Sequence, residues 1–103
     1  MNLYSIYDAK AETWLPPFLA QNHELAKRDL FTAVSGSSNT PIAQFPTDFS
    51  LVCLGDWSAG SPNPVSLAQI PENIGTVWMI ICEFEMRRKT PKNEVNDESK
   101  GTL

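Results

Sequence analysis

Thr76-Val77-Trp78-Met79-Ile80-Ile81-Cys82-Glu83-Phe84 contains the longest apolar run in the chain, the six residues Val77 to Cys82, and its reading decides the fold. Its shortness and its Val, Ile and Trp content predict a buried strand, set off by the turn signal Pro71-Glu72-Asn73-Ile74-Gly75 just before it. A strand that is apolar on both faces from Val77 to Ile81 belongs at the centre of the core, with Trp78 buried. It also invites a homodimer wherever an edge is left open.

Upstream segments supply its neighbours. Val65 to Ile70 is predicted to pair with Phe49-Ser50-Leu51-Val52-Cys53-Leu54-Gly55 as a hairpin, because Ser58-Ala59-Gly60-Ser61-Pro62-Asn63 between them is all turn chemistry. Leu3 to Tyr7 is a first strand of β-branched and aromatic residues. The double proline Pro16-Pro17 forbids a helix through Ala11 to Asn22, which reads as an apolar loop. Asn22 can cap a helix, Glu24 suits its first turn, and Ala26, Leu30, Ala33 and Val34 recur with helical spacing, so a helix runs from His23 to Ser35 and stops at Gly36. The order strand, helix, strand, strand, strand makes an α+β fold, one helix packed on a small, largely antiparallel sheet. The connection of about 40 residues between the first two strands is long enough for a crossover that would make them parallel neighbours.

A chain of 103 residues, 42% hydrophobic and 19% charged, has room for one core and is not a disordered or collagen-like composition. The apolar runs are too short to span a bilayer, and Met1 to Tyr7 lacks the basic opening of a signal peptide, so no membrane is expected and the expected location is the cytoplasm. Residues 1–86 form the single α+β domain, with nine acidic and three basic side chains for a net −6. Residues 87–103 form a basic, then polar tail of net +2, expected to be disordered alone.

Catalytic patterns are lacking. Cys53 and Cys82 lie in apolar runs and read as buried free thiols, and with His23 the sole histidine no metal site is expected. Val34-Ser35-Gly36-Ser37-Ser38 follows a helix and lacks the strand-to-helix setting of a nucleophile elbow. Glu83 and Glu85 would share one strand face, as solvent-facing carboxylates commonly do. No phosphate-binding loop is present, so neither an enzyme nor a cofactor is expected. What remains is Arg87, Arg88, Lys89 and Lys92, four cations in six residues, together with aromatics near turns and edges, chiefly Tyr4, Tyr7 and Trp57. Rings that stack on bases beside cations that meet phosphates are what single-stranded DNA binding requires.

Leu3-Tyr4-Ser5-Ile6-Tyr7-Asp8-Ala9-Lys10-Ala11-Glu12, Pro16-Pro17-Phe18-Leu19-Ala20, Leu30-Phe31-Thr32-Ala33-Val34, Phe45-Pro46-Thr47-Asp48-Phe49-Ser50-Leu51 and Leu54-Gly55-Asp56-Trp57 occur in an order that resembles the small non-structural protein of gokushovirus-type microviruses, phages with single-stranded circular DNA. The likeness spans roughly residues 2–75, and Pro64-Val65-Ser66-Leu67 also fits it. The run at 76–84 and the tail at 87–103 extend past the family's usual ending. The resemblance implies a non-structural role in viral DNA synthesis or packaging in the host cytoplasm and supplies no catalytic residues. Two functions follow as expectations. One is a non-enzymatic protein that binds single-stranded DNA through the 87–92 cluster and nearby rings. The other is an adaptor that docks its acidic body on the viral replication initiator, a host replication protein or the procapsid.

Overall fold

Strand β1 (Asn2–Asp8) is the hub of a five-stranded sheet. Its side chains alternate as a strand with one packed face requires, Tyr4 and Ile6 entering the hydrophobic core and Ser5 and Tyr7 pointing to the other side. In this computed structural model, which describes the backbone of residues 1–95 and the side chains of residues 1–87, β1 pairs on one edge with β2 (Thr13–Trp14) and β3 (Phe18–Ala20). On its other edge it pairs with β4 (Phe49–Trp57). The Pro16-Pro17 segment is thus no simple loop. The prolines do exclude a helix, but the residues on each side find ladder partners along β1, and the Ser5 hydroxyl donates to the Leu15 carbonyl at 2.6 Å between them. Asp8 starts this return by accepting the N–H groups of Lys10 and Ala11 at 3.1 and 3.2 Å.

β1 and β4 are antiparallel, with Tyr7 opposite Ser50 and Asp8 opposite Phe49, so the long connection between them is not a parallel crossover. That connection holds helix α1 (His23–Ser35), a short helix α2 (Pro41–Gln44) and a 3-10 turn, Pro46–Asp48. The Asn22 side chain accepts from the Leu25 N–H at 2.9 Å, and the Gly36 and Ser37 N–H groups close the other end on the Thr32 and Val34 carbonyls, the start and stop that the sequence predicts.

The second half departs from expectation in two places. First, Pro71 to Gly75 is not a turn: strand β5 runs from Val65 to Thr76 along β4. The register passes from Cys53 opposite Glu72 to Gly55 opposite Leu67, so the four residues Ala68 to Pro71 bulge outward across from Leu54. Pro71 is tolerated because the bulge asks no ladder hydrogen bond of it.

Second, the decisive stretch is a helix. α3 (Val77–Val95) begins where β5 ends, and the Thr76 hydroxyl accepts from the Met79 N–H at 3.2 Å as a side-chain cap. Val77 and Ile80 are buried and Ile81 and Phe84 partly so, at i, i+3, i+4 and i+7, the spacing of one helix face. Trp78 stands off that face and is 50% exposed rather than buried. The fold is α+β, with α1 and α3 packed against the face of the sheet that carries Tyr4, Ile6, Phe49 and Leu51. The boundary expected at residue 86 falls inside α3, and residues 96–103 of the expected tail lie outside the described residues. No helix among the described residues is long and apolar enough to cross a membrane.

Candidate nucleic-acid interface

The residues singled out from sequence are not gathered at one place. Tyr4 is fully buried, so its ring has no face to offer a base. It stacks on Phe18 with centroids 5.7 Å apart, because even-numbered positions of β1 face the core. Trp57 ends β4, half-buried, its backbone tied to Met1. Seven residues of strand, about 23 Å, separate it from Ser50, the partner of Tyr7.

Arg87 is occupied. Its guanidinium donates to both Glu24 oxygens at 2.8 and 3.2 Å and to Glu83 one helical turn away, and it lies 4.8 Å from the centroid of the Phe84 ring. Two carboxylates neutralise this cation, and the one on α1, Glu24, fastens α3 to α1 on the helical side of the sheet. Lys27 joins the same cluster, 3.4 Å from Glu83. Arg88, Lys89 and Lys92 belong to α3, and their side chains lie outside the described residues. Glu83 and Glu85, one face of an expected strand, are instead two positions apart on a helix and do not face the same way, and Glu83 is committed to Lys27 and Arg87.

Tyr7 is the predicted ring that does reach an open surface. On the helix-free face of the sheet it packs against Trp14, its ladder partner on β2, with centroids 4.9 Å apart and planes tilted by 57°. Trp14 is 47% exposed. The two rings line one side of a shallow groove of about 280 Å³ with Ser50, Val52, Pro71 and Asn73 on the other. No lining residue is charged. Lys10 stands in the turn joining β1 to β2, at the same end of the sheet. Trp14 is the site residue that sequence reasoning passed over, since a two-residue strand leaves no periodic signal. The readable clue was Asp8, a turn-forming residue that folds Trp14 back beside Tyr7.

His23, in the first turn of α1, is half-buried and bridges two strands. Its Nδ1 lies 2.7 Å from the Tyr4 hydroxyl and its Nε2 lies 3.2 Å from Glu72 on β5. One tautomer satisfies both contacts, with the Tyr4 hydroxyl donating to Nδ1 and the Nε2–H donating to Glu72. Asn2 donates to the same hydroxyl at 3.1 Å. Burial pushes the Tyr4 hydroxyl above its ordinary value, and the Cys53 thiol likewise. The chain Asn2, Tyr4, His23, Glu72 therefore pins the α1 N-terminus to the sheet with a neutral phenol, a structural use of groups that elsewhere do acid–base work. Cys53 and Cys82 are free thiols, each half-buried rather than fully so. Among the described residues no group of His, Cys, Asp and Glu could hold a metal ion.

The chain belongs to the phage ORF5 protein family, whose model matches residues 1–77, three quarters of its length. The match takes in the whole sheet and α1 and ends on the first residue of α3. No curated protein and no solved structure matches the chain.

Proposed function

We propose that this phage ORF5 protein binds single-stranded DNA on the helix-free face of its sheet and, in keeping with its resemblance to the small non-structural protein of gokushovirus-type microviruses, serves viral DNA synthesis or packaging without catalysing a reaction. One observation carries the reading: the tilted Tyr7–Trp14 pair beside an uncharged groove. Each base has a stacking face, so a pair of rings beside a neutral groove accepts bases of any sequence. The phosphates would stay outward in solvent, where Lys10 is the near cation. This mode differs from the cation-led one expected from sequence, because Arg87 is neutralised by Glu24 and Glu83.

The test is a titration of Trp fluorescence and oligonucleotide anisotropy with short single strands. The double variant Tyr7→Ala, Trp14→Ala should lose most of the affinity, since base–aromatic stacking is worth about 1–3 kcal/mol per base. The salt dependence should be shallow, about 0.7 in log–log slope for each phosphate neutralised. Equal affinity in parent and double variant would overturn the reading.

A second reading, the adaptor that docks on a viral or host replication protein or the procapsid, is favoured by a different feature. Ile70 on the β5 bulge is 85% exposed, and a protruding apolar side chain is what a protein pocket accepts. A parent protein with no affinity for single strands at low salt would put this reading first.

A further inference from the structure

Next to the Tyr7–Trp14 groove the sheet ends in a second cavity, of about 290 Å³, lined by Asp8, Lys10, Pro41, Phe45, Asp48 and Phe49. The two adjoin at consecutive rungs of the β1–β4 ladder: Tyr7 and its partner Ser50 line the groove, and Asp8 and its partner Phe49 line the cavity. The walls of the cavity are fixed to one another. The Ala9 N–H donates to the Asp48 carbonyl at 2.9 Å, which ties the turn after β1 to the Pro46–Asp48 turn. The Phe45 N–H donates to the Pro41 carbonyl at 2.8 Å, and the Phe45 carbonyl accepts from the Asp48 N–H at 3.0 Å. Its backbone is thus held in place while its ring is 56% exposed, an apolar face presented without a partner in the core.

Three groups on this cavity are unspent: the Phe45 face, the Asp48 carboxylate and the Lys10 ammonium. Among the described residues no hydrogen bond or ion pair engages the last two, whereas Asp8 is occupied with the N–H groups of Lys10 and Ala11. A carboxylate can only accept hydrogen bonds. Guanine alone among the four bases carries two adjacent donors, N1–H and the N2 amino group, on its Watson–Crick edge; adenine, cytosine and thymine set an acceptor beside each donor. Two parallel hydrogen bonds therefore join a carboxylate to guanine, and any other base leaves one carboxylate oxygen facing an acceptor. The presence of Lys10 disfavours a cationic side chain as the occupant and offsets the carboxylates where a phosphate would pass. We propose that this cavity is a guanine-selective subsite at the end of the single-strand groove, with Phe45 stacking on the base, Asp48 accepting from N1–H and the N2 amino group, and Lys10 beside the phosphate. The inference rests on the single-strand reading above and adds to it: Tyr7 and Trp14 hold bases of any kind, and the cavity selects one neighbour.

Anisotropy of labelled oligonucleotides tests it, with a thymine strand and the same strand carrying one internal guanine, hypoxanthine or adenine. Guanine should tighten binding about tenfold over thymine alone, within the range of a bidentate base contact. Hypoxanthine keeps N1–H but lacks the N2 amino group, and should lose most of that gain. Asp48→Asn should bind all four strands alike, at the parent's affinity for thymine, because its amide sets a donor against one of guanine's two. The Asp48 carboxylate bonds to nothing in the described chain, so the variant should keep the circular dichroism spectrum of the parent; if it does not, the hypoxanthine comparison on the parent decides. The double variant Tyr7→Ala, Trp14→Ala should weaken every strand and keep the guanine ratio, so groove and subsite fail separately. Equal affinity of the parent for guanine and thymine strands, or a preference that survives Asp48→Asn, would overturn the subsite alone. A parent that binds no strand overturns it together with the groove. An oligoarginine peptide bound through Asp48 by a parent indifferent to guanine would assign the cavity to a protein partner and overturn it as well.

Discussion

Arg87 on α3 and Glu24 on α1, 63 residues apart, meet as a two-pronged pair with both guanidinium nitrogens on both carboxylate oxygens. This geometry fixes direction as well as distance, so it sets how the two helices lie on one another. The hydrogen bond from Arg87 holds the Glu24 carboxyl below its ordinary 4.5. A carboxylate lowered in the folded state stabilises the fold above its ordinary value, and that contribution disappears as pH falls through the lowered value. Arg87→Gln should therefore reduce the melting temperature near neutral pH, and the difference from the parent should close as the pH is taken down past the lowered Glu24 value. Melting curves across that range, with and without high salt, provide the check. A gap that persists in acid would show that Arg87 acts by packing on Phe84 rather than by charge.

At Gly55, β4 passes close against the backbone of β5. A Cβ added there would lie 2.8 Å from the Leu67 Cα and in hard contact with the Ser66 carbonyl oxygen, both backbone atoms that cannot rotate away. Gly55→Ala should cost about 3 kcal/mol, the upper part of the range for overpacking, because the strand itself has to move. Urea unfolding of the variant measures this, and a loss under about 1 kcal/mol would mean that the bulge at Ala68 to Pro71 absorbs the shift.

The first half of the chain was legible because its signals are local and agree with one another. Asn22, Glu24 and Gly36 mark α1 at both ends, and the β-branched and aromatic runs at Leu3 to Tyr7 and Phe49 to Gly55 mark two central strands. The stretch at Val77 was not legible by the same means. Six consecutive apolar residues satisfy a strand's period of two and a helix's period of 3.6 equally, so only flanking chemistry could arbitrate. That chemistry was present: Thr76 supplies a cap oxygen, and Glu83 and Arg87 form an i, i+4 pair. The β-branched and aromatic composition points the other way, and tertiary context decides for the helix, because β5 already fills the sheet position beside β4. The site was obscured for another reason. Tyr7 and Trp14 meet only through a two-residue strand, and alternation along β1 puts Tyr4 in the core while Tyr7 faces out.

The helical assignment of the decisive stretch reverses an expectation about stability. Were it a central strand, Trp78→Ala would remove a buried ring at a cost of about 3–5 kcal/mol. On α3 the buried neighbours are Val77 and Ile80. Ile80→Ala should cost about 2–5 kcal/mol, and Trp78→Ala about 1 kcal/mol or less when both are measured by urea unfolding at concentrations low enough to exclude association. Finding the larger loss at Trp78 would return that ring to the core.

Tyr4→Phe removes one oxygen from the chain that joins Asn2, His23 and Glu72, and keeps the ring that stacks on Phe18. His23 Nδ1 then loses its partner at the edge of the core, so the substitution should cost about 1–2 kcal/mol although volume is nearly conserved. The same hydroxyl predicts behaviour in alkali. Burial raises its titration above the ordinary 10.0, so the folded state binds the proton more tightly than the unfolded chain does. Stability from this group is complete below 10 and is lost as pH rises through the raised value. Alkaline unfolding of the parent should thus show a steeper decline than that of Tyr4→Phe, and the late tyrosinate absorbance should vanish in the variant. The Cys53 thiol is also raised by burial, so the comparison belongs in a Cys53→Ser background. Identical alkaline profiles for Tyr4→Phe and its parent in that background would show that the hydroxyl is open to water and that the link from β1 through His23 to β5 bears no load.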